Sequence, residues 1–448
     1  MQKGVNNVHR YIPNTEEEIR QMLEEIGVKS IDDLFVDVPR TIDGYNIPEG
    51  KDEFTVRKFV EGIAKKNINF DPENIFLGAG IYYHYIPTVV KHMASNPNFV
   101  TAYTPYQAEV SQGTLQMLFE YQTMMCELTG MEVSNSSMYD GASAFAESLL
   151  MAVRVTGKTK MVVAKTINPE YRTVAKTYTK PQGIEIHELD YDQSGKVDIE
   201  KLKSSVDDKT AAVAIAYPNF FGVIEDLKAI REVIPQNVMF IVVAEPVSLA
   251  LLEAPGKFGA DIVVGEGQSL GVTPNFGGPG IGFFTTLEKH VRKMPGRIIG
   301  ETKDLEGNKG YVMILQTREQ HIRREKATSN ICSNQAYIAL INAIYISTMG
   351  PEGLKEVAWR SFNNAHYLAK KLEERGFSRI FNGEFFNEFV VKVPETYRQK
   401  WHEMVKDGIL GPIPIDRVYK ELGPSALVCS TEVNTKASIE RLVEVMSK

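Results

Sequence analysis

Apolar and polar positions divide the chain into three regimes. Near the start, Ile19, Met22, Leu23 and Ile26 recur at helical spacing behind a capping box of Thr15 and Glu18, and Gly27 ends the run. Phe59, Val60 and Ile63 mark a second amphipathic helix, with Pro39, Gly44, Pro48 and Gly50 between the two. Residues 1–70 therefore read as a helical N-terminal arm without a core of its own. From Ser137 the pattern changes. Short apolar runs at Met161–Ala164, Ile184–Leu189, Ala211–Ala216 and Met239–Ala244 alternate with helical stretches, two of them opened by Asp140 and by Asn168-Pro169. That alternation predicts an α/β domain over residues 71–330, a mainly parallel sheet with helices on both faces. Beyond a glycine- and lysine-rich stretch, Gly300 to Gly310, helices dominate, a long one after Pro351-Glu352-Gly353. Phe389–Val393 and Ala426–Cys429 read as strands of a smaller C-terminal α/β domain over 331–448.

One stretch organises the large domain. Ile262–Val264 reads as a buried strand running into a glycine-rich loop that includes Phe276, and Ile281–Thr285 as the strand that leaves it. Loops at the carboxyl ends of parallel strands are where such domains bind ligands. Yet no lysine occurs between Lys257 and Lys289. Two further loops are rich in rings. Gly78 to Tyr85 carries Tyr82, Tyr83, His84 and Tyr85. Tyr103-Thr104-Pro105-Tyr106-Gln107 follows, with Thr104 as helix N-cap, Pro105 at the first helical position and Gln107 completing the box, a cap worth ~1 kcal/mol. The helix is expected to pass Leu115, Leu118, Phe119 and Met125 and to stop near Gly130.

Composition narrows the function. The formal charge of −7 argues against a nucleic-acid partner, which needs a strongly basic surface. Cys126, Cys332 and Cys429 lie too far apart for a zinc spacing, and their odd count argues against a disulfide framework; no metal is expected. No apolar run approaches the ~20 residues of a membrane span, and no signal sequence opens the chain, so it reads as cytoplasmic. Asp140-Gly141-Ala142-Ser143-Ala144 opens a helix with small residues, either an anion site at the helix N-terminus or simply tight packing on the sheet.

The segments Gly80-Ile81-Tyr82-Tyr83-His84, Tyr103-Thr104-Pro105-Tyr106-Gln107, Ser137 to Ala144 and Arg323-Arg324-Glu325-Lys326-Ala327-Thr328-Ser329-Asn330-Ile331-Cys332, in that order, resemble the glycine decarboxylase P-protein family. The likeness spans nearly the whole chain and is nearest to subunit 1, the alpha subunit, of the family's two-subunit form. It implies the fold of type I pyridoxal-phosphate-dependent transferases, with a seven-stranded-type sheet. It also implies a part in glycine decarboxylation and in transfer of the aminomethyl group to the lipoyl arm of the H-protein. The implied assembly is an α2β2 with a homologous beta subunit.

Two departures matter. A pyridoxal-phosphate enzyme needs a lysine for its imine and an acid at the pyridinium nitrogen. Matched to the family pattern, Ser269 stands at the lysine position and Ala244 at the acid position. Glu245 is one step further along the strand and is expected on the opposite face. The chain is thus expected to bind no cofactor covalently and to leave pyridoxal 5'-phosphate to the beta subunit. Its expected contribution is a wall of the partner's pocket built from Tyr82, Tyr83, His84, Tyr103, Tyr106, Gln107 and Glu109, with His84 able to relay a proton. The bland alternative is that these rings pack a subunit interface and that Glu109 only caps a helix. Asp140, Gly141, Ala142 and Ser143 would form a vestigial phosphate site, and Arg323, Arg324 and Lys326 a carrier-docking patch or a solvated face. Two rival readings stand. A self-sufficient decarboxylase or aminotransferase would need Lys257 or Lys289 as its imine lysine; a structural or regulatory partner would need no site at all.

Overall fold

The computed structural model describes residues 11, 13–38, 48–100, 102–275, 277–333 and 335–448. Pro39, Gly44 and Phe276 lie outside the described residues. Contacts divide the chain into two compact units, Met1–Ile68 and Asn69–Lys448. In the first, the Thr15–Glu18 capping box forms at both ends of the pair and opens the helix Glu16–Ile26, which Gly27 closes in the left-handed conformation. Asp52 caps the helix Glu53–Ala64, and neither helix buries a residue.

The second unit is built on a sheet of seven strands. These are β1 (Val133–Ser134), β2 (Lys160–Ala164), β3 (Glu185–Leu189), β4 (Thr210–Tyr217), β5 (Met239–Ala244), β6 (Ile262–Glu266) and β7 (Gly282–Thr286), in the order β1-β7-β6-β5-β4-β2-β3. Neighbours from β3 to β6 run parallel, while β7 runs antiparallel to both β6 and β1. All eight residues of β4, Thr-Ala-Ala-Val-Ala-Ile-Ala-Tyr, are buried, as expected of a strand covered by helices on both faces. Asp140 and Ser143 form the capping box of the helix Gly141–Thr156, and Asn168 caps Pro169–Thr179.

Past the sheet, Ile298–Lys303 (β8) and Lys309–Ile314 (β9) pair as an antiparallel hairpin. No periodicity announced this hairpin, because glycines and lysines mask the alternation. Asp304 closes its turn by accepting from the amides of Glu306 and Asn308 at 2.9 and 2.8 Å. The smaller sheet has three strands, Glu388–Lys392 (β10), Ile413–Pro414 (β11) and Ser425–Cys429 (β12), one more than the pattern predicted. One long helix, Ala336–Glu373, bends at Gly350 and links the two cores; Ile338–Ala358 packs in the larger and Ala365–Leu372 in the smaller. Among the described residues no helix is long and apolar enough to cross a membrane.

The predicted helix start at Thr104 is wrong. Residues 103–107 are irregular, and the helix begins at Gln112 and ends at Thr129 with Gly130 as its cap. Thr104 instead shares a hydrogen bond with the Ser333 hydroxyl at 2.6 Å. The Gln112 side chain is held by both backbone groups of Tyr311 on β9, each at 2.9 Å. Long-range bonds have overridden the local capping signal.

Candidate functional site

A cavity of about 60 Å³ lies at the carboxyl ends of β4, β5 and β6, where the sheet places ligands in this architecture. Its walls include Tyr82, Glu245, Glu266, Ser269 and Glu388. Ser269 is buried in the turn that follows β6, and its hydroxyl donates to Glu245 Oε1 at 3.0 Å. Glu245 was expected on the far face of the sheet. It is not there because β5 ends at Ala244 and the alternation ends with it. The Glu245 carboxylate swings into the cavity and caps the next turn, accepting from the amides of Val247 at 3.1 Å and Ser248 at 2.6 Å. Ala244 lines the same wall, buried.

Two more carboxylates complete the cavity. Glu388, on β10, accepts from the Ala79 amide at 2.6 Å and the Tyr82 hydroxyl at 2.7 Å. Glu266 ends β6 and accepts three amides, Gly141 at 2.9 Å, Ile281 at 3.0 Å and Gln268 at 3.1 Å. Burial pushes Glu266 and Glu388 each up to about 7 and raises Glu245 as well, although every one of them is held by donors that favour its charge. No weight fell on Glu266 or Glu388 in the sequence, because lone glutamates carry no spacing signal.

Pyridoxal phosphate does not fit these residues. Ligand pockets run to about 300–1,000 Å³, far above this cavity. A serine cannot form an imine, and three carboxylates face the space that an anionic cofactor would fill. The amides at the head of the helix Gly141–Thr156 are also taken, Gly141 by Glu266 and Ser143 by Asp140 Oδ1 at 2.7 Å, while Ala142 is half-buried beside them.

The ring residues separate into two groups. Tyr82 and His84 were expected to face a partner, but both turn inward and are buried. Tyr82 is bonded to Glu388, and His84 Nδ1 lies 2.7 Å from Glu432 Oε2. Burial costs the imidazole its hydration, and the Glu432 carboxylate offsets that cost. Tyr83 is half-buried, and its carbonyl accepts from the Thr431 hydroxyl at 2.6 Å.

Tyr103, Tyr106, Gln107 and Glu109 remain exposed. Tyr106 forms the rim of a second cavity of about 460 Å³ that also holds Arg297, Arg318, His321 and Arg324. Its ring meets His321 edge-on at 5.2 Å, and Arg297 reaches its hydroxyl at 3.3 Å. Arg297 is fixed by Glu319 at 2.9 Å and by the Ser333 hydroxyl. Tyr103 and Cys332 meet at 2.7 Å. The sequence segments 103–107 and 323–332, far apart in the chain, are thus brought together. Arg324 has a positive φ, 54°, and is exposed together with Arg323 and Lys326. No group of three or more His, Cys, Asp or Glu among the described residues is placed to hold a metal.

Residues 9–446 match the family described as glycine cleavage system P-protein. The probable glycine dehydrogenase (decarboxylating) subunit 1 of Thermotoga maritima is 58% identical over 437 residues, covering 97% of this chain and 99% of its own. The protein of the same name from Carboxydothermus hydrogenoformans is 49% identical over 441 residues, covering 98% and 99%. A crystal structure of glycine decarboxylase (P-protein) of the glycine cleavage system, in inhibitor-bound form, superposes with a TM-score of 0.90 at 41% identity, covering 98% of this chain and 99% of that one. A sphingosine-1-phosphate lyase of Burkholderia pseudomallei, 13% identical with a TM-score of 0.66 and covering 91% of this chain and 92% of that one, shares the fold alone. The architecture is that of type I pyridoxal-phosphate-dependent transferases, and the chain belongs to the glycine cleavage system P-protein family.

Proposed function

We propose that this chain is the cofactor-free subunit of a two-subunit glycine decarboxylase. One observation carries the reading: Ser269 is bonded to Glu245 inside a cavity of about 60 Å³, where a covalent cofactor needs an amine and room. Pyridoxal phosphate on the partner beta subunit supplies the electron sink for the chemistry. This chain binds, orients and shields. The name "subunit 1" of its relatives supports a second subunit, and an α2β2 assembly is the arrangement expected because oligomers usually close with two-fold symmetry. Exposed Tyr103, Tyr106, Gln107 and Glu109, with Tyr83, form the wall offered to the partner's pocket. Rings and amides suit a water-poor site around a substrate as small as glycine. Arg323, Arg324 and Lys326 offer positive charge to the lipoyl H-protein. The assembly works in the cytoplasm.

The test is exchange of label between carbon dioxide and glycine. The chain alone is expected to show none, and the co-expressed pair full activity. Tyr106→Ala is expected to lower the pair's rate roughly tenfold or more, as misplacement of a pocket wall does, with unchanged co-purification and Tm, and Arg324→Ala to weaken the pair's response to added H-protein. Intact assembly with an unchanged rate would leave the chain a scaffold. Exchange by the chain alone would make it a self-sufficient enzyme.

A further inference from the structure

Residues 319–329 form a loop closed at its neck. Glu319 and Ser329 pair as an isolated parallel bridge, and the Thr328 amide donates to the Arg318 carbonyl at 3.0 Å. Compact loops whose ends meet in this way are frequently functional. This one exposes Arg323, Arg324 and Lys326. Arg324 has φ 54° and ψ −123°, a conformation that a residue with a Cβ rarely adopts. Strain of that kind persists only where the surroundings hold it.

The hold comes from beneath the neck. Glu147, buried in the middle of the helix Gly141–Thr156, accepts from the Ser329 hydroxyl at 2.6 Å. Arg154 lies further along the same helix, 3.7 Å from the other Glu147 oxygen, and donates to the Thr328 carbonyl at 3.3 Å. The Tyr139 hydroxyl continues the row, donating to the Asn330 carbonyl and accepting from the Cys332 amide, each at 3.0 Å. Burial raises the Glu147 pKa and lowers that of Arg154, so the fold keeps this ion pair at a cost that apolar side chains of similar size would not carry. The pair lines neither of the two cavities described above.

We propose that Glu147, braced by Arg154, is a positioning residue: through Ser329 it fixes the neck of the loop 319–329 and so aims Arg323, Arg324 and Lys326 at the lipoyl H-protein. The proposal rests on the reading of these cations as the surface that meets the carrier, but it fails separately. A wild-type pair whose rate ignores added H-protein would sink that reading, whereas the variants below address the clamp.

The experiment uses the co-expressed pair of subunits. Ser329→Ala removes only the bond to Glu147. Glu147→Leu combined with Arg154→Met removes the clamp without leaving one charge buried and unpaired, the change that would threaten folding. Both variants are expected to speed hydrogen exchange of the amides from Ala327 to Cys332 by roughly tenfold or more, with protection elsewhere unchanged. Both are also expected to raise KM for H-protein roughly tenfold while kcat stays within about twofold, the pattern of lost docking and not of lost chemistry. Ser329→Thr keeps the hydroxyl and is expected to restore both readouts. Exchange as slow as in the wild type overturns the proposal. Faster exchange with an unchanged KM for H-protein also overturns it, because the pair then only supports the fold. If the double variant does not fold, Ser329→Ala decides.

Discussion

Replacing Glu432 with alanine is expected to cost about 3–5 kcal/mol, the usual penalty for removing one partner of a buried ion pair. The His84 and Glu432 side chains are only 2% and 8% exposed and meet at 2.7 Å. Glu432 also accepts from the Tyr85 amide at 2.7 Å and the Ser361 hydroxyl at 3.2 Å. Burial alone would lower the His84 pKa, but the Glu432 carboxylate outweighs it and the net shift is upward. Burial likewise pushes Glu432 up, and His84 with the Tyr85 amide brings it below the ordinary carboxylate value. The directions fix the pH dependence. His84 contributes fully below its unfolded pKa of about 6.5 and loses its share as pH rises through the raised folded value. Glu432 contributes fully above its unfolded value of about 4.3 and loses its share as pH falls through the lowered one. The pair is therefore strongest between about 4.3 and 6.5. Urea unfolding at pH 6 measures the loss, and His84→Gln should flatten the decline of stability on the alkaline side. A Glu432→Ala loss below about 1 kcal/mol, the range of an exposed pair, would contradict the assignment.

Gly222→Ala is expected to be about as damaging, at roughly 3 kcal/mol or more, because a backbone clash adds to an unfavourable conformation. Gly222 has φ +80°, and a Cβ there would lie 1.8 Å from the carbonyl oxygen of Glu388 and 2.4 Å from its carbonyl carbon. Backbone cannot yield as a flexible side chain does. Gly222 also accepts from the Phe386 amide at 3.0 Å, so this contact joins the loop after β4 to the approach to β10. Shifting it moves Glu388, and with it the bond to Tyr82 in the cavity. Gly376→Ala is the control. Its φ is +89°, but nothing lies within 4 Å of its Cβ position, so a loss of only ~1–2 kcal/mol is expected. Equal losses for the two variants in parallel thermal melts would show that conformation, and not the close approach, governs the site.

Local signals in this sequence were reliable where nothing distant competed with them. The capping box at Thr15, the helix start at Asp140 and the strands from Met161 to Ala244 formed as read, since each depends on residues within a few positions. Thr104 failed because its hydroxyl partner, Ser333, is 229 positions away. Glu245 failed because alternation holds only inside a strand, and β5 stops one residue earlier. Ser269 and Ala244 were singled out by the resemblance alone, and the structure puts both on the wall of one cavity. The carboxylates that share that cavity were not legible. Tyr82 meets Glu388 across 306 positions and His84 meets Glu432 across 348, and no periodicity links such pairs. The burial of Tyr82 and His84 within this chain follows from those two glutamates.

The division of labour between two subunits is tested most directly by borohydride reduction of the co-expressed complex, followed by mass mapping of the modified lysines. The expected result is one pyridoxyl group per pair of chains, all of it on a lysine of the beta subunit and none on this chain. A pyridoxyl group on any lysine of this chain, Lys257 and Lys289 included, would contradict it.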